Sequence, residues 1–137
     1  MIFLDTNILM DVLEDAGTPE AEWSRTTLAA HAGDNRLVAN LVVAAELAGQ
    51  MAGAESLGDT LAATEVDLLD LDLATAHRAG TAFREYRRRG GARSTILPDF
   101  LIAAHAATAG AALMTRDRRL GSYFPELTLI TPDLDHG

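Results

Sequence analysis

The chain has 137 residues, 48% of them hydrophobic, with 20 acids against 11 bases and a formal charge of −9. That length suits one domain, residues 1–137, able to bury a sizeable core, and the absence of cysteine excludes disulfides, thiolate metal sites and cysteine nucleophiles. No apolar run approaches the roughly 20 residues of a membrane helix, so a soluble, cytoplasmic protein is expected.

Met1-Ile2-Phe3-Leu4 is an apolar run closed by Asp5 and followed by Thr6-Asn7, which predicts a buried strand feeding a helix from Thr6 to Glu14. Thr18 as cap and Pro19 at the first helical position predict a second helix to His31. Gly33-Asp34-Asn35 turns the chain into a short strand, Leu37 to Ala39. Leu41 to Ala52 then reads as a largely buried helix, Glu55 to Ala63 as another, and Val66 to Leu71 as a third strand. Ala74 to Arg89 has helical spacing through Ala76, Ala79, Phe83 and Tyr86, and Gly90-Gly91 stops it. Pro98 opens a helix to Ala109. Ala111 to Met114 and Leu127 to Ile130 are the last two strands, with a helical turn from Asp117 to Tyr123 between them. Strands alternating with helices predict an α/β fold built on a mainly parallel sheet of about five strands.

Four acids stand at informative places. In open α/β sheets ligands collect beyond the carboxyl ends of strands, where Asp5 and Asp117 are expected, though each also serves as a helix or turn cap. Asp99 follows Pro98 in a first helical turn, which the helix dipole favours on structural grounds alone. Glu46 lies in Leu41-Val42-Val43-Ala44-Ala45-Glu46-Leu47-Ala48, apolar on every side, so an ionised carboxylate there must pair, bind a cation or take up a proton. Together they point to one shared site. Four clustered carboxylates repel one another, and a hard divalent cation, Mg²⁺ or Mn²⁺, resolves the conflict. His31, His77, His105 and His136 are too scattered for a zinc motif, and His77 and His105 are expected to pack or face solvent.

There is no lysine, and eight of the eleven arginines fall between positions 84 and 119 against three acids, a local excess of +5. A limited basic patch on a repulsive background suits a selective polyanion site. The run Arg87-Arg88-Arg89-Gly90-Gly91-Ala92-Arg93 also fits a solvated helix end.

The runs Phe3-Leu4-Asp5-Thr6-Asn7-Ile8-Leu9, Ala45-Glu46-Leu47, Asp99-Phe100-Leu101-Ile102-Ala103-Ala104-His105-Ala106 and Leu113-Met114-Thr115-Arg116-Asp117 resemble the PIN domain, and more narrowly VapC-type toxins of toxin–antitoxin pairs. The ending Tyr123-Phe124-Pro125-Glu126-Leu127 through Thr131-Pro132 is similar to that group too. The resemblance implies a three-layer α/β/α domain and a metal-dependent endoribonuclease cutting structured RNA, tRNA or rRNA. It further implies products with 3′-hydroxyl and 5′-phosphate ends, usually a homodimer, and inhibition by a VapB-type antitoxin. Carried over, Asp5, Glu46, Asp99 and Asp117 are the acidic quartet holding Mg²⁺ or Mn²⁺, with Thr6 and Thr115 as supporting polar groups. Arg116, Arg93 and Arg89 are candidate RNA contacts. Many relatives carry a further acid two residues after the fourth, where this chain has Arg119, which weakens the case for a second metal.

A receiver domain and a P-loop nucleotide site both need a lysine. A haloacid-dehalogenase-like phosphatase needs an acid where Asn7 stands, and none of Ser24, Ser56, Ser94 and Ser122 lies in a nucleophile elbow. The remaining alternative is a catalytically weak or inactive PIN-like binding module acting through protein or RNA contacts.

Overall fold

The computed structural model describes residues 1–14, 17–50, 54–91 and 97–132. Five strands, β1 (Ile2–Leu4), β2 (Leu37–Asn40), β3 (Asp67–Leu69), β4 (Ala112–Met114) and β5 (Leu129–Ile130), form one sheet. Its order is β3-β2-β1-β4-β5, and every pairing is parallel. Helices α1 (Thr6–Leu13), α2 (Pro19–Ala32), α3 (Leu41–Ala48), α4 (Ala54–Ala63), α5 (Leu73–Arg88) and α6 (Leu97–Thr108) cover both faces. The expected α/β/α layering is therefore present. A parallel sheet covered on both faces needs strands without a polar side, and every residue of β1 and β2 is buried. Among the described residues, no helix is long and apolar enough to cross a membrane.

Strand order reverses at β1, with β2 and β3 on one side and β4 and β5 on the other. The carboxyl ends of β1 and β4 thus flank a topological switch point, where a crevice opens. Asp5 follows the first of these strands, and Thr115, Arg116 and Asp117 follow the second.

Several boundaries depart from the sequence expectation. Helix α3 ends at Ala48, where the Gly49 N–H closes onto the Ala45 carbonyl, and residues 51–52 of the expected helix lie outside the described ones. Nor is α3 largely buried. Val43, Ala44 and Leu47 face the core, while Leu41 is 62% exposed and Ala45 and Ala48 are also exposed. Composition alone does not separate a core helix from one that keeps an apolar face for a partner. Strand β3 shrinks to three residues because it is an edge with a single ladder, to β2. On α5 the inward stripe is Thr75, Ala79 and Ala82, and Ala76 is exposed. The helix does end at the expected glycines: Gly90 takes φ +76, and the Gly91 N–H bonds the Tyr86 carbonyl at 2.9 Å. A Cβ on Gly91 would fall 2.4 Å from the Tyr86 ring, so a larger residue there would have to displace that ring.

Buried Asn40 joins two layers. Its Oδ1 caps α3 by accepting the Val43 N–H at 3.0 Å, and its Nδ2 lies 3.0 Å from Nδ1 of His105. His105 is itself 4% exposed and packs on Phe3 with ring centroids 5.3 Å apart. Burial lowers its pKa, so its imidazole is neutral and structural, while His77 faces solvent. Asn40→Ala removes the cap and leaves the Val43 N–H and the His105 ring nitrogen unpaired. It should cost roughly 2–3 kcal/mol of unfolding free energy in urea titrations, with Asn40→Ser recovering the capping share of about 1 kcal/mol.

Candidate active site

Asp5 leaves β1 with extended backbone, φ −71 and ψ 157, and caps α1. Its Oδ1 accepts the Thr6 N–H at 2.7 Å and its Oδ2 the Thr115 hydroxyl at 2.7 Å, with the Asn7 amide at 3.4 Å. All three donors are neutral. Burial pushes the Asp5 carboxyl up to about 6; the Thr115 and Thr6 hydrogen bonds oppose this, and the charges of Asp99 and Glu46 add to it. The capping role and the site role therefore coexist in one side chain.

Thr6 ties two of the acids together, since its N–H serves Asp5 and its hydroxyl donates to Oε1 of Glu46 at 2.6 Å. Glu46 reaches this point from α3, and Asp99 from the first turn of α6. Thr115 is 1% exposed and its hydroxyl also accepts the Asp117 N–H at 3.0 Å. Asp5, Glu46, Asp99 and Asp117 all line one cavity of about 500 Å³, together with Thr6, Asn7, Asp11, Arg116 and Arg119. The structure thus brings the four acids of the sequence reading to one place.

Asp117 stands apart from the other three. Both of its oxygens are taken by Arg119, from Nε at 2.9 and 3.0 Å and from Nη2 at 2.6 Å, and Oδ1 also accepts the Arg119 backbone N–H at 2.9 Å. These bonds hold its carboxyl below the usual range. The Asp117 side chain closes the turn that leads into the 3₁₀ segment Arg119–Tyr123.

Arg116 lines the cavity, but its guanidinium is gripped by Asp11 from α1, Nε to Oδ2 at 2.7 Å and Nη2 to Oδ1 at 3.2 Å. Asp11 in turn accepts the buried Ser24 hydroxyl at 2.5 Å. Asn7 accepts the Arg116 N–H at 3.2 Å through Oδ1. Asn7 and Asp11 escaped the sequence reading. Their four-residue separation on an amphipathic helix, aimed toward Asp5, was the available signal. Arg89 lies elsewhere: it pairs with Glu85 at 2.7 Å, sits 5.7 Å over the Tyr123 ring and lines a second cavity of about 410 Å³ with Arg78, Arg84 and Arg88. Arg93 falls outside the described residues.

Among the described residues, no three acids or histidines are closed up enough to hold a metal ion as they stand. The donor set nonetheless fits one. Asp5 is desolvated, reached only by neutral donors, and raised further by Glu46 and Asp99. A hard cation answers that deficit of positive charge and draws repelling carboxylates together.

Fold and site together define a parallel α/β domain with an acid-lined pocket at the switch point of its sheet. The chain belongs to the PIN domain family, whose model matches residues 2–123. Its fold is similar to that of VapBC2 from Rickettsia felis, solved with a DNA fragment from its promoter, at TM-score 0.73 and 23% identity over 96% of this chain and 98% of that one. It is also similar to a toxin–antitoxin complex from Klebsiella pneumoniae, at TM-score 0.68 and 23% identity over 96% and 98% of the two chains. VapBC-1 from nontypeable Haemophilus influenzae gives TM-score 0.71 and 22% identity over the same shares, 96% and 98%. No curated protein sequence matches the chain.

The Asp5 carboxyl binds its proton more tightly in the folded state than in the unfolded chain, whose value is 3.8. That stabilisation is complete below about pH 4 and is lost as pH rises through about 6. Metal-free Asp5→Asn should therefore be more stable than the parent at pH 8, by about 1–3 kcal/mol, with the gap closing below pH 5. Urea unfolding in EDTA at the two pH values measures it. Equal stability at pH 8 would show that the Asp5 charge is already compensated.

Proposed function

We propose that the chain is the toxin of a type II toxin–antitoxin pair, an endoribonuclease that uses Mg²⁺ or Mn²⁺ to cut structured RNA such as tRNA or rRNA. The observation that carries this reading is the Asp5 carboxylate, desolvated among neutral donors in a cavity shared with Glu46 and Asp99. These three side chains would hold the ion. Such an ion supplies activation of water and neutralisation of charge on the leaving oxygen. Thr115 and Thr6 fix the Asp5 carboxylate, and Thr6 orients Glu46. Arg116, held by Asp11 at the wall of the cavity, would receive a phosphate of the RNA. The arginines around Arg89 form a separate basic wall for more distant phosphates or for acidic residues of an antitoxin.

Members of the fold group named above were solved as VapBC complexes, which supports a VapB-type antitoxin as partner. Exposed Leu41 on α3 and Leu73, 84% exposed at the start of α5, are apolar surface that supports a homodimer or an antitoxin contact. A reducing cytoplasm suits the cysteine-free chain. The open spread of the acids favours a second reading, a PIN-like binding module with weak or no activity.

Cleavage of RNA by the purified chain decides between the two. Activity should appear with Mn²⁺, vanish with EDTA, fall at least about 100-fold in Asp5→Asn, and leave 5′-phosphate ends. Metal-independent cutting, or full activity in Asp5→Asn, would sink the mechanism, and no cutting under any condition would favour the binding module. If these exposed leucines join two copies, Leu41→Glu with Leu73→Glu should shift sedimentation from dimer to monomer while leaving the thermal midpoint within a few degrees.

A further inference from the structure

We infer that Arg119 is a built-in cation that keeps Asp117 out of the metal-ligand set, so that the cavity takes one divalent ion, on Asp5, Glu46 and Asp99. The inference rests on the metal-dependent reading above and specifies how this chain carries it out. Asp117 and Arg119 are two residues apart, and the contact between them is complete on its own: two guanidinium nitrogens and one backbone N–H converge on a single carboxylate. Bidentate charge-assisted bonding of this kind fixes both partners. Each oxygen of Asp117 already accepts at least two donors, so a cation would have to displace the guanidinium to reach either one.

The charges sort the acids in the same way. Asp99 and Glu46 both raise the Asp5 carboxyl, whereas Asp117, lining the same cavity, has its carboxylate closed onto Arg119. Arg119 in turn is stabilised in its charged form first by Asp117 and then by Asp99. Its guanidinium therefore screens the fourth acid and borders the third. A divalent ion near Asp117 would meet a fixed positive charge on the same carboxylate, whereas one between Asp5, Glu46 and Asp99 would meet three carboxylates, of which Asp5 and Glu46 are oriented by neutral donors and Asp99 is bordered by Arg119.

Mn²⁺ binding to the full chain, followed by calorimetry and by the electron paramagnetic resonance of free Mn²⁺, tests this without reference to activity. The parent should bind one ion per chain. Arg119→Gln should gain, either roughly tenfold in affinity or as a second ion, and adding Asp117→Asn to it should erase the gain. Arg119→Lys, which keeps the charge but cannot span both oxygens, should fall between parent and Arg119→Gln. The Arg119 side chain is 56% exposed, so these variants are expected to fold, and thermal melts verify it. Two ions on the parent, or unchanged binding by Arg119→Gln, would overturn the inference while leaving the metal reading intact. So would a gain that survives Asp117→Asn, since it would then arise from general electrostatics. Absence of Mn²⁺ binding from the parent and every variant would overturn both.

Discussion

The rest of the structure is arranged around one expensive placement, the Asp5 carboxylate at the end of the central strand. A carboxylate taken from water into a protein must find donors, a counter-charge or a proton. Here the donors are the Thr6 N–H and the hydroxyl of Thr115, 110 residues away in sequence, and no cation is among them. The Thr115 contact requires β1 and β4 to be neighbours and in register, which the Leu4 and Met114 pairing provides. Strand order, burial of Thr115 and the cap of α1 are thus parts of one local solution. That solution leaves the carboxyl near a pKa of 6, half-satisfied at neutral pH.

How the surrounding cations are disposed explains why the deficit persists. Arg116 is adjacent in sequence to both Thr115 and Asp117, yet it turns to Asp11, which Ser24 holds in place. Arg119 turns to Asp117. Each guanidinium is matched with an acid of its own, Asp11 or Asp117, and Arg119 also borders Asp99. Pairing of this sort costs desolvation and returns little net stability when isolated. Its effect on the site is larger, because it removes the nearest permanent cations from competition for Asp5.

Much of this was legible in the chain. Apolar runs ending at Leu4 and Met114 predicted the central strands, because a strand covered on both faces must be apolar throughout, and the carboxyl-end rule then pointed to Asp5 and Asp117 just beyond them. Glu46 stood out because an acid inside an apolar helix needs a reason, whereas Asp99, in a first helical turn, gained meaning only beside the other three. What stayed hidden depended on pairing across the fold. The local excess of +5 suggested one basic patch, but the fold divides it: Arg84, Arg88 and Arg89 line one cavity, while Arg116 and Arg119 turn to Asp11 and Asp117 at another. Net charge over a window does not reveal how its members pair. Similarly, α3 read as buried because every flank is apolar, whereas Leu41, Ala45 and Ala48 are exposed. Hydropathy records what a face would tolerate, and only the tertiary arrangement decides what covers it.

Asp11 shows most clearly what such pairing accomplishes. It is 9% exposed, and a buried acid facing a guanidinium is an unrewarding way to gain stability compared with an apolar pair. Had α1 carried an apolar residue at that position, Arg116 would have lost its partner within the cavity that Asp5 lines. The arginine would then have been the obvious counter-charge for Asp5, and the raised carboxyl would have returned toward an ordinary value. A site neutralised in that way has no further demand for a cation. By fixing Arg116 through two hydrogen bonds, Asp11 holds a positive charge at the cavity wall in a pair of its own, and Asp5 keeps only neutral donors. The stability given up at Asp5 is therefore maintained by Asp11, one helical turn and a half further along the same helix.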